Sequence, residues 1–269
     1  DHKKRSWGED SARYKSKVLG EFPDSSDNGL FSQTVIDLAY GTEIEDNDDN
    51  RPILGADIAR FGSDENKLYM NKGGRIRLYD DGTEDSGSWG KTDLISTARK
   101  IHAAAQRVGA RLVNIDENGV GGGVIDALVT LEEFGDAVYD VGSIMGSHAS
   151  PDPNRWYNNR AYHYDHLRGL MSEGKVDLDY EDEQLRDELI TQTYKFSANR
   201  NALQITSKDE MKKNGLKSPD SLDAVTLCVI DFEEEDFSGP KVGDVVTYEQ
   251  IEKQLEHGAE SAFYDSTFW

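Results

Sequence analysis

Three aspartates lie in sequence contexts where a carboxylate points to chemistry. Asp57 lies within the apolar segment ILGADIA, where a charge is costly unless it is paired or bound to a metal ion. Asp116 ends the segment LVNID just before a glycine-rich turn, and Asp223 lies one turn into a predicted helix. Converging carboxylates are the ligands that Mg²⁺ or Mn²⁺ prefers, and two such ions can promote phosphodiester hydrolysis. These three residues are therefore candidate catalytic metal ligands.

Two further acids are weaker candidates as metal ligands. Asp64 follows the first predicted strand, and Asp220 precedes Asp223 by three residues on the same predicted helix. Each also has a simpler interpretation, because Asp64 suits a turn and an acid such as Asp220 is favoured by the helix dipole at an N-terminus. Both interpretations stay open for both residues.

Other kinds of site find little support in the sequence. The histidines lack a metal-site spacing, and no Ser-His-Asp or Cys-His arrangement is suggested. The glycine-rich run 119–123 is not a Walker A motif, and no such motif occurs in the chain, so we expect no ATPase activity. A tight passage from strand to helix accounts for these glycines better than a phosphate-binding loop does.

The apolar pattern predicts elements that would bring the aspartates together. A buried strand at Ile53–Ile58 and a hairpin around Gly73 and Gly74 come first. The chain then alternates between helix and strand, at Thr92–Val108, Arg111–Asp116, Val124–Leu131 and Ala137–Val141. An opening meander followed by such alternation predicts an α/β fold with a mixed β-sheet flanked by helices.

The second half of the predicted domain is mainly helical. After a long loop at Gly142–Asn159, helices are predicted at Arg160–Ser172 and Glu181–Thr191. A hairpin at 194–205, a lysine-rich loop and a last helix capped by Ser218 follow. We therefore expect three parts: a lead-in at 1–50 with a helix at Ser32–Ala39, a globular domain at 51–232, and an acidic, mobile tail at 233–269.

The charge of the chain argues against a nucleic-acid partner, but its distribution reopens the question. The formal net charge is −22, whereas affinity for phosphates comes mostly from lysine and arginine. Residues 195–217 form an exception and hold six bases but only two acids. The six bases are Lys195, Arg200, Lys208, Lys212, Lys213 and Lys217. This basic segment is a candidate DNA contact, and the simpler alternative is a solvated loop.

The cysteine content and hydropathy limit the setting of the protein. Cys228 is the single cysteine and lies in an apolar run, so a buried thiol in a reducing, intracellular compartment is expected. No apolar stretch approaches the roughly 20 residues that cross a bilayer. We therefore expect a protein without a membrane partner.

Three segments together resemble the nuclease motifs of the large terminase subunit of tailed bacteriophages. They are GADIARFGSDENKLY, VNIDENGVGGGVIDAL and SPDSLDAVTL, and they occur in the order of that family. Residues 6–39 also resemble the stretch that links the ATPase domain of the family to its nuclease domain, so the resemblance covers about residues 6–232. Each motif alone is a loose pattern, and the three together carry the assignment.

The resemblance implies a ribonuclease H-like fold and a two-metal endonuclease that cuts double-stranded viral DNA during genome packaging. By position, Asp57 would bridge two divalent ions, and Asp116 and Asp223 would complete their sites. The implied partners are double-stranded DNA, the portal, the small terminase subunit and an ATPase domain missing from this chain. The implied location is the packaging motor in the host cell cytoplasm.

Two alternatives remain for the function. A Holliday-junction resolvase or a transposase-like nuclease would keep the sheet and the metal chemistry, although the linker-like lead-in disfavours it. A noncatalytic module that binds DNA or the portal would use its aspartates to bind calcium or to stabilise the fold. Metal-dependent nicking that is lost in Asp57→Ala would separate the catalytic from the noncatalytic interpretation.

Overall fold

The computed structural model describes residues 28–47, 49–59, 65–90, 92–130, 135, 137–232 and 245–246. The strands there are β1 (Ile53–Asp57), β2 (Asn66–Lys72), β3 (Arg75–Leu78), β4 (Ser88–Trp89), β5 (Leu112–Asp116), β6 (Asp140–Ile144), β7 (Tyr194–Phe196), β8 (Leu203–Ile205) and β9 (Val245–Val246). The helices are α1 (Gln33–Gly41), α2 (Leu94–Val108), α3 (Gly121–Thr130), α4 (Asn159–Ser172), α5 (Glu183–Thr191), α6 (Lys208–Lys213) and α7 (Asp220–Cys228).

A mixed sheet forms the centre of the described structure. Its strand order is β3-β2-β1-β5-β6-β9, and β4 adds to β2. β1, β5 and β6 are parallel, whereas β2, β3 and β9 run antiparallel to their neighbours. β7 and β8 form a separate hairpin. The sheet is flanked by helices, so the expected α/β architecture is confirmed.

Alternation along the central strands divides the core between the two faces of the sheet. Leu54 and Ala56 of β1 join Val113 and Ile115 of β5 in an apolar cluster with α2 and α3. The other face packs against α7, which belongs to a second apolar cluster with α4 and α5. Because successive side chains of a strand point to opposite faces, the residues between these apolar positions face α7.

Helix α7 lies unusually close to β1. A Cβ atom on Gly55 would lie 2.3 Å from the carbonyl oxygen of Ala224 and 2.6 Å from the backbone nitrogen of Cys228. Only glycine permits this approach, because any larger residue would collide with the backbone of the helix. The thiol of Cys228 is buried at the same contact, as expected from its apolar surroundings.

Local signals fix several of the element boundaries. Gly73 and Gly74 both have positive φ, which a tight two-residue hairpin turn between β2 and β3 requires. Asp93 caps α2 by accepting a hydrogen bond from the backbone N–H of Ser96, and Gly109 ends that helix in the left-handed conformation. A Cβ on Gly121 would lie 1.8 Å from the carbonyl oxygen of Asp116, so the glycine-rich run does serve a tight passage from strand to helix.

Two predictions of secondary structure were wrong. The strand predicted at Ala137–Val141 lies later, at Asp140–Ile144, because the polar pair Gly142 and Ser143 belongs to it. Gly142 packs against Asn114 of β5 and Ser143 donates to Glu117, which follows β5, so polar partners replace the expected apolar pattern. The predicted lysine-rich loop contains helix α6, which Ser207 caps and Met211 anchors in the interior.

The chain on either side of the predicted domain also takes part in the fold. In the expected lead-in, α1 packs into the second apolar cluster through Ile36, Ala39 and Tyr40. β9, in the expected tail, pairs with β6. The remainder of the tail and residues 1–27 lie outside the described part of the chain. Within the described part, no helix is both long and apolar enough to cross a membrane.

Candidate active site

Two aspartates lie side by side where parallel strands end. Asp57 is the last residue of β1 and Asp116 is the last residue of β5. Ala56 pairs with Ile115 in the parallel register, so the aspartates that follow are neighbours at the carboxyl edge of the sheet. Ala56 and Ile115 face α2 and α3, and strand alternation therefore directs both carboxylates towards α7.

The first turn of α7 brings two more acids to this edge. Asp220 and Asp223 both lie there and both are buried. Ser218 does not cap the helix as expected. Pro219 occupies the N-cap position, and its side chain makes no hydrogen bond to the helix. Glu188 of α5 takes over this role, and its carboxylate accepts a 2.7 Å hydrogen bond from the backbone N–H of Leu222.

A lysine ammonium lies among these carboxylates. Nζ of Lys208, the first residue of α6, is 2.8 Å from Oδ2 of Asp223 and 3.1 Å from Oδ2 of Asp57. It is also 3.6 Å from Oδ1 of Asp220. Burial alone would lower the pKa of Lys208, but the charges of Asp223 and Asp57 outweigh burial and raise it. One positive charge therefore neutralises part of a group of buried acids.

The second oxygen of Asp223 has a different set of partners. Its Oδ1 accepts hydrogen bonds from the hydroxyl of Tyr164 at 2.5 Å and from Nε and Nη2 of Arg160 at 3.2 Å each. Tyr164 and Arg160 are four residues apart on α4, so they lie on the same face of that helix. Asp223 is thus held from two sides, by α4 through Oδ1 and by α6 through Oδ2.

Asp116, beside Asp57 at the end of the next strand, has its own hydrogen-bond partners. Its Oδ1 accepts hydrogen bonds from the backbone N–H of Asn118 at 3.0 Å and from Nδ2 of Asn118 at 2.7 Å. Burial raises the pKa of Asp116, and the nearby charge of Asp223 adds to the increase. Asp116 in turn contributes to the electrostatic field at Asp57. The charges of neighbouring aspartates therefore raise the pKa of both Asp57 and Asp116.

The pKa values of Asp57 and Asp223 are shifted in opposite directions. Burial raises the pKa of Asp57 from its ordinary value of 3.8 to about 7, against the opposing charge of Lys208. Burial would also raise the pKa of Asp223, but Arg160 and Lys208 bring it down to about 2. Asp223 is therefore anionic at neutral pH, whereas Asp57 is near its midpoint.

The structure brings together most of the acids singled out in the sequence. Asp57, Asp220 and Asp223 face one ammonium group, and Asp116 lies beside them on the next strand. Asp64 lies outside the described residues. Among the described residues, no three acid, histidine or cysteine side chains surround a common point closely enough to hold a metal ion, and Lys208 lies where the acids come nearest to one another.

The donor set nevertheless fits a divalent cation. Oδ2 of Asp223 is buried, and the 2.8 Å ionic contact with Nζ of Lys208 is the polar contact that the described structure gives it. Oδ2 of Asp57 is directed at the same positive atom. Carboxylate oxygens that converge on one cation are the hard ligands that Mg²⁺ and Mn²⁺ take. The side chain of Lys208 is 36% exposed, although its ammonium group contacts the carboxylates of Asp57, Asp220 and Asp223.

The basic segment 195–217 has a more varied environment than its composition indicates. Lys208 faces the acids of the site and not open solvent, and Lys195 forms a 2.7 Å ion pair with Glu210. The guanidinium of Arg200 lies over the ring of Tyr157, just before α4. The exposed lysines of the segment are Lys195, Lys212, Lys213 and Lys217.

Sequence reasoning missed three residues that contact the acids or their helix: Arg160, Tyr164 and Glu188. The spacing of Arg160 and Tyr164 places both on one face of a predicted helix, which was an available signal. Their contact with Asp223 joins residues 59 and more positions apart, and the sequence carries no mark of it. The same holds for Glu188, which reaches Leu222 across 34 positions.

Comparison with known proteins supports the fold. The sequence matches no protein-family model and no curated protein. Among solved structures, the chain is similar to the nuclease domain of the large terminase subunit gp2 of bacterial virus Sf6, with 19% identity, a TM-score of 0.62, and coverage of 76% of this chain and 99% of that one. A lysine-to-alanine variant of that gp2 domain with calcium gives a TM-score of 0.63 at 18% identity, over the same shares.

A second phage provides an independent neighbour. The large terminase nuclease from thermophilic phage G20c with bound magnesium has 16% identity and a TM-score of 0.53, and the match covers 76% of this chain and 97% of that one. The chain therefore has the ribonuclease H-like fold of phage large terminase nuclease domains.

Proposed function

We propose that this protein is a metal-dependent endonuclease that cuts double-stranded DNA during phage genome packaging. The observation that carries the proposal is that Asp57 and Asp223 both contact the ammonium group of Lys208 at the carboxyl edge of the sheet, beside Asp116. Functional groups of α/β sheets gather at this edge. The fold shared with terminase nuclease domains, which have been solved with manganese and magnesium, supports the same conclusion.

The proposed ligands divide the work according to their positions. Asp57 lies centrally, within reach of the charges of Asp116, Asp220 and Asp223, so it would help to hold both divalent ions. Asp116 and Asp223 would hold one ion each with it, and Asp220 and Asp64 are further candidate ligands. Bound Mg²⁺ or Mn²⁺ would supply an activated water and neutralise charge on the phosphate. The protein itself supplies fixed, buried and anionic oxygens.

Protonation of Asp57 links the site to its cation. With a pKa of about 7, this carboxyl carries a proton part of the time at neutral pH, and a protonated oxygen is a poor ligand for a metal ion. A divalent cation held by Asp57 and Asp223 would take the place of the Asp57 proton and of the Lys208 ammonium at these oxygens. For one divalent ion, the two positive charges that enter would match those of the proton and the ammonium.

The proposed DNA path runs along the exposed part of the basic segment. Lys195, Arg200, Lys212, Lys213 and Lys217 lie on the hairpin β7–β8, on α6 and on the turn that leads to α7. Contacts with phosphates would position a duplex without reading its sequence, so we expect little cut-site preference. The acidic remainder of the chain makes the affinity weak and sensitive to salt.

The wider setting follows from the same assignment. We propose that the domain works in the packaging motor in the host cell cytoplasm, joined to an ATPase domain and in contact with the portal and the small terminase subunit. The division into lead-in, nuclease domain and acidic tail belongs to this proposal. The Walker A motif is lacking, so this chain should release no phosphate from ATP.

Nicking of supercoiled plasmid DNA tests the proposal. The wild-type chain should nick and linearise plasmid with Mn²⁺ or Mg²⁺ and do neither in EDTA, and Asp57→Asn should be inactive with either ion. Asp126→Asn on the exposed face of α3 is the matched control and should cut as the wild type does. Binding without cutting would favour the noncatalytic module, cutting confined to four-way junctions would favour the resolvase, and cutting in EDTA would refute the mechanism.

A further inference from the structure

The two oxygens of Asp223 differ in what surrounds them. Oδ1 accepts three hydrogen bonds, one from Tyr164 and two from Arg160. In the described structure, Oδ2 has a different neighbour, the ammonium of Lys208, with Nζ at 2.8 Å. A carboxylate with one oxygen fully occupied can offer only the other to a cation. The contacts around Asp223 therefore decide which oxygen is available.

Arg160 is itself fixed before it reaches Asp223. Its Nη1 donates to the backbone carbonyl of Thr206 at 3.1 Å, and its Nη2 donates to the hydroxyl of Tyr164 at 2.9 Å. Its guanidinium also lies over the ring of Tyr164, with 4.7 Å between the guanidinium carbon and the ring centroid. The planar group thus has little freedom to rotate, and its two remaining contacts point at Oδ1 of Asp223.

Arg160 and Lys208 differ in how easily they leave the site. Arginine stays charged at every accessible pH, and the side chain of Arg160 is 21% exposed and bonded on all sides. Lys208 is more exposed, at 36%, and its flexible stem ends in a single charge. A divalent cation that enters beside Asp57 and Asp223 can therefore replace Lys208, while Arg160 stays in place.

We propose that Arg160 and Tyr164 are positioning residues that occupy Oδ1 of Asp223, so that Asp223 presents Oδ2 alone to a divalent cation. The inference rests on the proposed function, since it assumes that Asp223 is a metal ligand. Partners of this kind orient metal ligands, and their loss typically weakens metal affinity by roughly 10–100-fold. Loss of the Tyr164 hydroxyl would let the carboxylate rotate and engage Lys208 with both oxygens.

Calorimetric titration with Mn²⁺ alone, without DNA, tests the inference. Tyr164→Phe removes one hydroxyl and keeps the ring beneath Arg160, and it should raise the Kd for Mn²⁺ about tenfold. Arg160→Met should raise the Kd further, and Arg160→Lys should restore part of the affinity because it keeps the charge. At saturating Mn²⁺, Tyr164→Phe should recover most of its nicking rate, since the defect lies in ion binding.

Two variants serve as matched controls. Tyr69→Phe removes a buried hydroxyl that donates to Asp182 at 2.5 Å, and Arg168→Met breaks the ion pair with Asp165 on the same helix α4. Both should keep the wild-type Kd for Mn²⁺. Melting temperatures measured without metal identify variants that fail to fold, and Tyr164→Phe is the variant least exposed to that failure.

The outcomes separate this inference from the proposed function. If the wild type binds Mn²⁺ and both Tyr164→Phe and Arg160→Lys bind it equally well, the positioning role is refuted and the nuclease assignment stands. If the controls lose affinity as much as Tyr164→Phe does, the effect is general destabilisation and the inference fails. If the wild type binds no Mn²⁺ at all, the proposed function fails, and this inference fails with it.

Discussion

The two faces of the central sheet are built from the same strands, and they differ most at the carboxyl edge, where one face is apolar and the other carries the acids. The face against α2 and α3 takes Leu54, Ala56, Val113, Ile115 and Val141. On the face against α7, the intervening positions of β1 and β5 hold Ile53, Gly55, Asp57, Leu112, Asn114 and Asp116. Along these two strands one face is apolar throughout, whereas the other changes from apolar residues at Ile53 and Leu112 to the acids of the candidate site at the carboxyl edge.

Alternation along the strands lets this fold tolerate a buried cluster of acids. The apolar face supplies burial without polar cost, and it fixes the strands that the other face uses. On the polar face, Asn114 donates to the backbone carbonyls of Leu227 and Ile230 and holds the end of α7. The charged residues of β1 and β5 lie at the carboxyl edge, where Lys208 and Arg160 neutralise part of the negative charge. Stability and chemistry are thus assigned to alternate residues.

Adjacent residues of β5 offer the sharpest way to break this comparison. Asp116→Asn should lower the nicking rate by about 1000-fold, or roughly 4 kcal/mol of transition-state stabilisation, and leave the melting temperature near that of the wild type. Ile115→Ala should cost about 3 kcal/mol of unfolding free energy, because Ile115 is fully buried, and leave the nicking rate of the folded protein nearly unchanged. Urea denaturation and plasmid nicking measure the two effects.

The comparison fails if the two variants behave alike. A large loss of activity in folded Ile115→Ala would mean that the apolar face tunes the site directly. A large loss of stability in Asp116→Asn would mean that its carboxylate, with its hydrogen bonds from Asn118, chiefly stabilises the fold.

At Gly55, a single substitution should weaken both the stability of the fold and the binding of Mn²⁺. Gly55→Ala places a methyl group 2.3 Å from the carbonyl oxygen of Ala224, so α7 must move away from β1. We expect a loss of about 2 kcal/mol in unfolding free energy and weaker Mn²⁺ binding, because α7 carries Asp220 and Asp223. Gly41→Ala is the control, since nothing lies within 4 Å of its added Cβ. Unaltered Mn²⁺ binding in Gly55→Ala would mean that the distance between α7 and β1 does not affect the metal site.

The pH dependence of Mn²⁺ binding sharpens the contrast within the polar face. Asp57 has a pKa of about 7, so below that pH a proton must leave before the cation binds. The Kd should rise about tenfold for each unit that the pH falls below 7 and level off above it. Calorimetry in buffers of different ionisation enthalpy should detect about one proton released at pH 6 and almost none at pH 8. An unchanged Kd between pH 6 and 8 would contradict this.

The smallest expected effect concerns the basic segment. Lys213→Ala combined with Lys217→Ala removes two exposed positive charges, so DNA affinity should fall a few-fold at low salt and the salt slope should flatten by about 2. Mn²⁺ binding in the absence of DNA should not change. Lys100→Ala, on α2 near the apolar face, is the control. Equal affinity of the double variant and the wild type across a salt series would move the DNA path away from this segment.

The sequence predicted the sheet and its acids because both leave a local mark. Asp57 interrupts an apolar strand, Asp116 ends one, and hydrophobic spacing predicts most of the helices. The partners of Asp223 leave no such mark, since Arg160 and Tyr164 read as ordinary residues of a polar helix and Lys208 reads as part of a basic loop. Their roles follow from long-range packing of α4 and α6 against α7, which composition and periodicity do not encode.

The errors in secondary structure have the same origin. Ser143 in β6 and Glu188 beside α7 are polar residues satisfied by distant partners, and a local pattern treats polar residues as exposed. Ser218 was predicted to cap α7, but the carboxylate of Glu188 accepts the hydrogen bond from the N-terminus of that helix instead. Tertiary contacts outweigh local preference at these positions.

A crystal structure of the wild-type chain soaked with Mn²⁺ would show whether Asp57, Asp116 and Asp223 hold metal ions. We expect anomalous peaks among the carboxylates of Asp57, Asp116 and Asp223, with the ammonium of Lys208 moved out from between Asp57 and Asp223 and with Arg160 still bonded to Oδ1 of Asp223. Peaks confined to surface acids, with Lys208 still in its contacts with Asp57 and Asp223 at saturating Mn²⁺, would contradict the account.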